Sequence, residues 1–452
     1  MSKEVRLKKG LNINLVGDAD KVYASVKSNN IADKFVVKPT DFHGLNPKLT
    51  VKIGDKVKAG SPLFFDKSNE KINFCSPVSG EVIDIVRGKK RKILEVVVKS
   101  DAKMLYEDLS LSSSAELTRE QIIDIMLKGG VWPFIRQKPY DIIADPNDIP
   151  KSIFISAFNS SPLSIDNDFA LYGMDELFQK GLDYVIKLTK GRTHLNIDGN
   201  TNGSKLFTGA KGVDINYISG PHPAGNVGIQ IHHISPIGSN EHVWVVNAQD
   251  VARIGSFFLT GELDTTLYIS IGGPSVTQPT HFKSRIGAQL KPLLGDKLKE
   301  GENRIISGDV LTGNKVDTEN YINFYDSSIS VVPEGGKREF LGMLRPGSSS
   351  SRYSLTNAFL GSITRGYNFN TLKNGSERYM VPINSWEDVL PMDILPNPLY
   401  RAILAEDIEE MEQLGIFECD EEDFALCSFA CPSKIDLGQA IRDGLNLIES
   451  ES

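Results

Sequence analysis

The pattern of hydrophobic and polar positions predicts a strand and a helix near the middle of the chain. Residues 152–158 form an unbroken apolar, β-branched and aromatic run that stops at the turn-forming residues 159–162, which is typical of a buried strand. Residues 174–187 carry apolar side chains at helical spacing, including Leu177, Phe178 and Leu182. A buried strand followed by an amphipathic helix indicates a layered α/β domain.

The glycine pair in this part of the chain lacks the chemistry of a nucleotide site. Gly129-Gly130 is followed at once by Val131-Trp132, so this loop cannot wrap a phosphate as a longer glycine run does. Neither G-x-G-x-x-G nor G-x-x-x-x-G-K-[ST] occurs in the sequence. We therefore predict a Rossmann-like α/β domain over residues 101–255 without a competent nucleotide loop.

A linker and a capped helix open this domain. Residues 101–117 are polar and serine-rich, which is typical of a linker. Thr118 and Gln121 have the spacing of a capping box and precede the apolar residues Ile122, Ile123 and Met126. The pattern predicts a helix that begins after Thr118 and ends at Gly129.

Residues 1–100 carry the clearest motif. Residues 51–63 follow the pattern V-x-x-G-D-x-V-x-x-G-x-x-L, and residues 76–82 follow S-P-x-x-G-x-V. Gly54 and Gly60 permit tight turns, while Val51, Val57 and Leu63 recur at positions that point into one core. This arrangement predicts a barrel-sandwich hybrid, the biotinyl/lipoyl-like fold, with strands from residues 1–37 at its edge.

The lysines of this module raise two further hypotheses. A biotinyl or lipoyl carrier would use Lys67 or Lys71 in the hairpin, but neither has the flanking Met-Lys-Met or Asp-Lys-Ala of such carriers. We favour a structural barrel with a solvated hairpin. Residues 89–92 are all basic and fit either a solvated hairpin tip or a contact with an acidic partner or anionic lipid.

The remaining chain divides into a small β unit, a connection and a helical domain. Residues 256–330 contain two strand-and-glycine-turn segments and predict a β-grasp-like unit of the SLBB type. Residues 331–381 are rich in glycine, serine and arginine and predict an extended connection. Residues 382–452 predict a helical domain, with apolar residues at helical spacing over 399–414 and 435–448.

Composition narrows the class of protein. A chain of 452 residues is long enough for about three domains. Its composition, 40% hydrophobic and 24% charged, is sufficient for a large core. The net charge of -8 disfavours a nucleic-acid partner. The N-terminus leads into no apolar signal region, and no run of about 18 apolar residues spans a membrane. Four cysteines do not make a disulfide framework, which fits the cytoplasm.

Histidine and serine patterns do not indicate a hydrolytic or metal site. His222, His232 and His233 invite a metal hypothesis, but we expect the last two on a strand, where neighbours point to opposite faces. No carboxylate or cysteine stands nearby at ligand spacing. A serine hydrolase is equally unsupported, because the sequence has no G-x-S-x-G elbow.

Cys427 and Cys431 form a C-x-x-x-C-P sequence, which is half of the run that holds a [4Fe–4S] cluster in ferredoxins. Cys419 lies too far upstream to continue that run, and three cysteines are one short of a four-thiolate site. We interpret these cysteines as a degenerate cluster motif of unliganded thiols, and we predict no metal. The alternative is a [4Fe–4S] or zinc site that an outside ligand completes.

Several motifs, taken together and in their order along the chain, resemble those of the A subunits of the sodium-translocating NADH:quinone oxidoreductase family. They are the barrel motif at Gly54-Asp55 and Ser76-Pro77, and three segments at residues 221–225, 271–274 and 425–432. The resemblance covers essentially the whole chain. That family is related to the C subunit of the Rnf complex and to the flavoprotein subunit of respiratory complex I, which bind flavin and an iron–sulfur cluster at positions matching Gly129-Gly130 and Cys427/Cys431.

The resemblance implies a peripheral subunit on the cytoplasmic face of a bacterial inner membrane. It implies a six-subunit complex that oxidises NADH, reduces ubiquinone and exports Na⁺, with this chain docked to membrane subunits. Flavins and iron–sulfur centres would reside on partner subunits, and this chain would bind no redox cofactor of its own. No complete catalytic site is expected here.

Two functions within such a complex remain open. A quinone headgroup needs an apolar slot with one or two hydrogen-bond donors, and Trp132, Phe134 and Arg136 offer that mixture. These three residues are our candidates for quinone binding, although core aromatics beside a surface arginine would give the same pattern. The alternative is a structural scaffold with no ligand.

Overall fold

The computed structural model describes residues 2–24, 32–109, 117–201, 203–238, 240–336, 353, 366–376 and 378–451. Its strands form four sheets. In chain order the strands are β1 (Glu4–Arg6), β2 (Asp20–Tyr23), β3 (Lys34–Val37), β4 (Pro47–Leu49), β5 (Lys56–Val57), β6 (Pro62–Asp66), β7 (Asn73–Cys75), β8 (Gly80–Arg87), β9 (Ile93–Ser100), β10 (Ile135–Lys138), β11 (Ile142–Ile143), β12 (Ser152–Ser156), β13 (Arg192–Asp198), β14 (Asp214–Ser219), β15 (Val243–Asn247), β16 (Thr266–Gly272), β17 (Thr280–Arg285), β18 (Asn303–Ser307), β19 (Asn314–Val316) and β20 (Ser328–Pro333). The α-helices are α1 (Arg119–Lys128), α2 (Asn167–Ala170), α3 (Asp175–Val185), α4 (Lys205–Thr208), α5 (Val227–Ile234), α6 (Ala248–Thr260), α7 (Leu290–Leu294), α8 (Pro396–Leu404), α9 (Ile408–Gln413), α10 (Glu421–Ala430) and α11 (Leu437–Glu451).

The α/β domain is built on a seven-stranded sheet in the order β1-β14-β13-β12-β15-β10-β11. The pairs from β1 to β15 are parallel, and β10 and β11 add an antiparallel edge. Along β12, Ile153 and Ile155 join the core that includes α3 and α6, whereas Phe154 packs with α5 on the other face. This alternation follows the two-residue period of a strand and gives the predicted layered domain.

The barrel-sandwich module consists of two small sheets, in the orders β3-β9-β8-β5 and β4-β6-β7. Lys67 and Lys71 lie exposed in the hairpin between β6 and β7. Residues 89–92 are exposed at the turn between β8 and β9, as expected for a hairpin tip. The SLBB-type unit has a six-stranded sheet in the order β19-β18-β20-β16-β17-β2. Both predicted folds are confirmed.

The N-terminal strands do not stay with the first module, so this part of our prediction is wrong. β1 pairs in parallel with β14 of the α/β domain, and β2 pairs in parallel with β17 of the SLBB-type sheet. Only β3 joins the barrel, through β9. The free edges of the two larger sheets present unpaired backbone groups, and pairing with β1 and β2 satisfies them.

Two other predicted boundaries differ from the structure. The predicted domain limit at residue 255 falls inside α6. The single helix expected over residues 399–414 is divided into α8 and α9, because the Asp407 side chain accepts a hydrogen bond from the Glu410 amide at 3.1 Å and caps a new helix. Most of the predicted connection over residues 331–381, including Arg345 and Arg352, lies outside the described residues.

The capped helix is confirmed in detail. Thr118 accepts a hydrogen bond from the Gln121 amide, and the Gln121 side chain accepts one from the Thr118 amide at 2.9 Å. Gly129 forms the C-cap of α1, with its amide 2.9 Å from the carbonyl oxygen of Ile125. The glycine pair therefore ends a helix and does not link a strand to a following helix, as a nucleotide loop would.

Aromatic rings from three domains meet at one place, which we call the aromatic junction. Phe42 belongs to the barrel module, Phe134 to the α/β domain, and Phe324 and Tyr325 to the SLBB-type unit. The ring centroid of Phe324 lies 4.8 Å from that of Phe42 and 5.8 Å from that of Phe134. Burial of these rings against one another fixes the relative positions of the three domains.

A buried ion-pair network joins the α/β domain to the C-terminal helices. Lys138 on β10 contacts Asp141 with its Nζ 2.8 Å from Oδ1, and it also pairs with Asp420. Asp420 in turn lies 3.5 Å from Arg442 on α11. The side chains of Lys138 and Asp420 are 5% and 7% exposed, so each charge is compensated mainly by its partners.

The close packing of α3 on α6 generates a stability prediction. A Cβ atom added at Gly181 would lie 1.9 Å from the carbonyl oxygen of Val251, and one at Gly255 would lie 1.8 Å from that of Leu177. A backbone oxygen inside a helix cannot move aside. We expect Gly181→Ala to lower the free energy of unfolding by roughly 2–4 kcal/mol.

Urea unfolding followed by circular dichroism measures this effect. Gly336→Ala is the matched control, because a Cβ there meets no atom within 4 Å. Equal stability of the two variants would contradict the close approach of α3 and α6.

Candidate functional site

A cavity of about 250 Å³ lies at the carboxyl ends of the parallel strands. We call it the strand-end cavity. Ser156 ends β12, Asn247 ends β15, and His222 and Gly225 follow β14, so three strands of the sheet deliver residues to one place. Asp309 of the SLBB-type unit faces them. This is the position at which open α/β sheets bind ligands.

A second cavity of about 810 Å³ lies where four domains meet, and we call it the interdomain cavity. Asp41 comes from the barrel module, Asp141 from the α/β domain, Asn323 from the SLBB-type unit, and Glu421 and Arg442 from the C-terminal helices. Its walls carry charged side chains of both signs.

The two cavities share one wall. It is formed by Arg136, Thr312, Tyr325, Asp326 and Glu422, which line both. Arg136 lies over the ring of Tyr325, with the guanidinium carbon 4.8 Å from the ring centroid. The phenol of Tyr325 donates a hydrogen bond to the carbonyl oxygen of Pro133 at 2.7 Å. This stack holds the shared wall in one geometry.

Arg136 stays charged at this wall. Burial lowers its pKa, but the neighbouring charges, Asp141 first, outweigh burial and leave the pKa above its ordinary value. The Arg136 Nη1 atom lies 2.8 Å from Asp141 Oδ2. For Asp141, burial raises the pKa, yet Arg136 and Lys138 together hold it well below the usual range of a carboxyl. The pair is therefore an ion pair across the neutral pH range.

Other carboxyl groups here are pushed toward their neutral form. Burial raises the pKa values of Asp250, Asp326 and Glu422. Burial and the neighbouring Glu422 together raise the pKa of Asp423 to about 8. Removing a carboxylate from water disfavours its charged form. Asp326 and Glu422 of the shared wall, like Asp250 in the strand-end cavity and Asp423 on α10, therefore hold their protons more tightly than exposed carboxyl groups do.

The three residues predicted for a quinone slot do not share one cavity. Trp132 is fully buried, and its Nε1 donates a hydrogen bond to the Ala144 carbonyl oxygen at 2.8 Å. Phe134 is 3% exposed and lines a separate apolar void of about 20 Å³. Arg136, with a side chain 16% exposed, lines both large cavities. Phe134 and Arg136 remain adjacent through the aromatic junction, whereas Trp132 belongs to the core.

The histidines occupy different positions from those expected. His232 and His233 lie on helix α5, so the predicted strand is wrong, because this segment packs as a helix against one face of the seven-stranded sheet. The Nδ1 atom of His232 lies 2.7 Å from Glu418 Oε2. His233 Nε2 lies 2.7 Å from the Pro391 carbonyl oxygen. Both tie α5 to the C-terminal domain. Among the described residues, no three His, Cys, Asp or Glu side chains form a potential metal site.

The cysteines of the C-x-x-x-C-P sequence lie in the C-terminal core. Cys427 is on α10 and Cys431 is at its C-cap, and both are buried. The Cys427 Sγ atom lies 3.8 Å from the Trp386 carbonyl oxygen. Burial raises the pKa of the Cys427 thiol far above its ordinary value.

Sequence reasoning missed most of the cavity residues. The segment Asn159-Ser160-Ser161 was identified only as the end of a strand, yet it supplies polar groups to the strand-end cavity. The available signal was a cluster of polar side chains directly after a buried strand. Asp309 and Glu422 come from distant parts of the chain, and no local pattern marks them.

Asp41 gives the site a pH dependence. Burial raises its pKa to about 7, so the folded chain holds this proton more tightly than the unfolded chain. Its contribution to stability is present below about pH 4 and is lost as the pH rises toward 7. We expect Asp41→Asn, which cannot ionise, to be more stable than the unmodified chain at pH 8 by roughly 1–3 kcal/mol.

Unfolding by urea at pH 5 and pH 8 tests this expectation. The variant should exceed the unmodified chain in free energy of unfolding by more at pH 8 than at pH 5. Asp183→Asn on the exposed side of α3 is the control and should show no such difference. An advantage that grows toward acid pH would contradict the assignment.

Among the described residues, no helix is both long and apolar enough to cross a membrane.

Comparisons with known families match three parts of the chain. Residues 5–101 match the NqrA N-terminal barrel-sandwich hybrid domain, residues 117–263 match the NqrA second alpha/beta domain, and residues 268–318 match the NQRA C-terminal domain.

Among solved structures, the chain overlaps loosely with the NAD⁺-reducing [NiFe]-hydrogenase in its H₂-reduced state. The TM-score is 0.36 at 12% identity, over 67% of this chain and 55% of that one. The full-length relatives are much more similar. The A subunit of the Na(+)-translocating NADH-quinone reductase of Marinomonas sp. (strain MWYL1) is 36% identical over 99% of both chains. The corresponding A subunits of Glaesserella parasuis and Saccharophagus degradans are also 36% identical, over 99% of this chain and 100% of theirs. With such identity along its whole length, the chain belongs to the family of Na(+)-translocating NADH-quinone reductase A subunits.

Proposed function

We propose that this chain is a peripheral subunit of a sodium-pumping NADH:quinone oxidoreductase on the cytoplasmic face of a bacterial inner membrane. The complex would couple NADH oxidation and ubiquinone reduction to Na⁺ export, with this chain docked on membrane subunits of a six-subunit assembly. The names and full-length similarity of the relatives support this proposal.

We further propose that the chain carries no redox cofactor of its own, with flavins and iron–sulfur centres on partner subunits. Two positions support this. Gly129-Gly130 caps the end of α1, and a helix C-terminus repels a phosphate because its dipole is negative. Cys427 and Cys431 are buried thiols within one helix and its cap, and the sequence lacks the further cysteines of the ferredoxin run beside them.

Within the complex, we propose that the chain contributes to quinone binding at the wall shared by the two cavities. The observation that carries this proposal is the position of Arg136. It lines both cavities, its charge is fixed by Asp141, and it lies on the Tyr325 ring. A guanidinium has five N–H donors, so Arg136 can hold Asp141 and also donate to a quinone carbonyl.

The aromatic junction supplies the apolar part of such a site. Phe134 and Phe324 are stacked directly behind the shared wall, with ring centroids 5.8 Å apart. Phe324 lines the strand-end cavity, and Phe134 supports it from within the core. A quinone ring against Phe324 would have an apolar face on one side and the Arg136 donors at its edge, the combination that orients a small ring in a pocket.

A scaffold without a ligand is the second candidate function. It is favoured by the buried contacts that lock four domains together, including the Lys138–Asp420 pair. A scaffold would hold the other subunits together, and its loss would disperse them without changing the affinity of the remaining complex for quinone.

The substitution Arg136→Lys in the intact complex separates these functions. Lysine keeps the positive charge beside Asp141 but loses the planar fork and the stacking on Tyr325. We expect the KM for ubiquinone to rise roughly tenfold, about 1.4 kcal/mol, with NADH oxidation by an artificial acceptor unchanged.

Arg401→Lys on the exposed side of α8 is the matched control, and it should leave the quinone KM unchanged. An assembled Arg136→Lys complex with an unaltered quinone KM would contradict quinone binding at this wall and favour the scaffold.

A further inference from the structure

We propose that the strand-end cavity is a binding site for a small, uncharged, polyhydroxylated ligand of the sugar or nucleoside class, and that it rejects the phosphorylated forms of such ligands. The ligand would lie against the residues that follow β12 and β14, whereas the proposed quinone contact is at the wall that contains Arg136.

The walls of the cavity match the chemistry of hydroxyl groups. Hydroxyl and amide side chains both donate and accept hydrogen bonds, as sugar hydroxyls do. Those that line this cavity include Ser156, Asn159, Ser161, Ser164, Asn167 and Asn247. Phe324 and Tyr325 line it as well and add apolar surface to its wall. The volume of about 250 Å³ lies just below the usual range for small-molecule pockets, which suits a small ligand.

His222 supplies the observation that points to a ligand. This side chain lines the cavity and is only 2% exposed. Its Nδ1 atom lies 3.0 Å from Ser160 Oγ, and that oxygen accepts a hydrogen bond from the Gly225 amide at 2.7 Å. The hydroxyl proton of Ser160 can point at Nδ1, and we assign Nδ1 as the acceptor.

The opposite nitrogen of the ring is then left as a donor without a partner. With Nδ1 accepting, the neutral imidazole carries its proton on Nε2, and burial lowers the pKa of His222 to about 4, which keeps the ring neutral. Nε2 is buried and has no hydrogen-bond partner among the described residues. A buried donor that is left unpaired is unfavourable, and a ligand hydroxyl or carbonyl oxygen would satisfy it.

The charges around the cavity exclude a phosphate. Asp309 lines it, and the positive charges of the two arginines that line it are each balanced by an acidic partner. Arg253 pairs with Asp250, and its Nε donates to the Thr266 carbonyl oxygen at 2.7 Å. Arg136 pairs with Asp141. A phosphate would therefore bring negative charge next to Asp309, while both arginines that line the cavity are held by acidic partners.

Calorimetric titration of the purified full chain with adenosine, ribose and adenosine 5′-monophosphate tests the proposal. We expect saturable binding of adenosine, and binding of the monophosphate at least tenfold weaker, about 1.4 kcal/mol. Binding of ribose as well would identify the sugar ring as the recognised group, whereas binding of adenosine alone would identify the whole nucleoside.

Two variants link binding to this cavity. His222→Leu removes the Nε2 donor and should weaken adenosine binding roughly tenfold. Asp309→Asn removes a carboxylate without removing that donor, so it should leave adenosine binding within about twofold and bring the monophosphate severalfold closer to it. The second variant keeps the test valid if the first does not fold.

Three results would overturn the proposal. They are the absence of saturable binding of both neutral probes up to about 10 mM, binding of the monophosphate as tight as that of adenosine, and adenosine binding unaffected by His222→Leu together with monophosphate binding unaffected by Asp309→Asn. None of these results depends on the quinone KM of the complex, so the failure of this proposal is distinguishable from the failure of the proposed function.

Discussion

The contact of Arg136 with Asp141 and Tyr325 is the interaction on which the arrangement of the domains depends. Arg136 lies on β10, at the antiparallel edge of the α/β sheet. Through Tyr325 it reaches the SLBB-type unit, and through Asp141 and Lys138 it reaches the C-terminal helices. Because these charges are buried, each requires its partners. The domains can therefore separate only at a high cost in electrostatic energy.

The same constraint explains why the cavities lie where they do. The aromatic junction is packed from the rings of three domains and leaves no room for polar side chains. The polar side chains of these domains therefore lie on either side of it. On one side they meet the carboxyl ends of β12, β14 and β15, and on the other they meet α10 and α11. The strand-end cavity and the interdomain cavity therefore lie on either side of Arg136, although Gly129-Gly130 forms no phosphate loop.

Local signals in the sequence predicted the elements well. The apolar run over residues 152–158, the helix α3 and the capping box at Thr118 each depend on residues close together in the sequence. The pairing of β1 and β2 with distant sheets could not be predicted in this way, because it joins residues more than 200 positions apart. Helix α5 was missed because its eight residues are too few for a clear period and include two polar histidines.

The candidate site was predicted only in part for the same reason. Arg136 and Phe134 were identified because they stand close together in the sequence with the right chemistry. Their partners Tyr325 and Phe324 and the acidic residues Asp309 and Glu422 come from two other domains, and only the fold brings them together. The burial of Trp132 likewise depends on contacts with residues that are distant in the sequence, such as Trp244 on β15.

Titration of the purified chain with a short-chain ubiquinone, followed by calorimetry, tests the central claim most directly. If the shared wall at Arg136 contributes to the quinone site, the account predicts saturable binding with a Kd on the order of 10 μM. The absence of saturable binding, while the complex that contains this chain still reduces quinone, would contradict it.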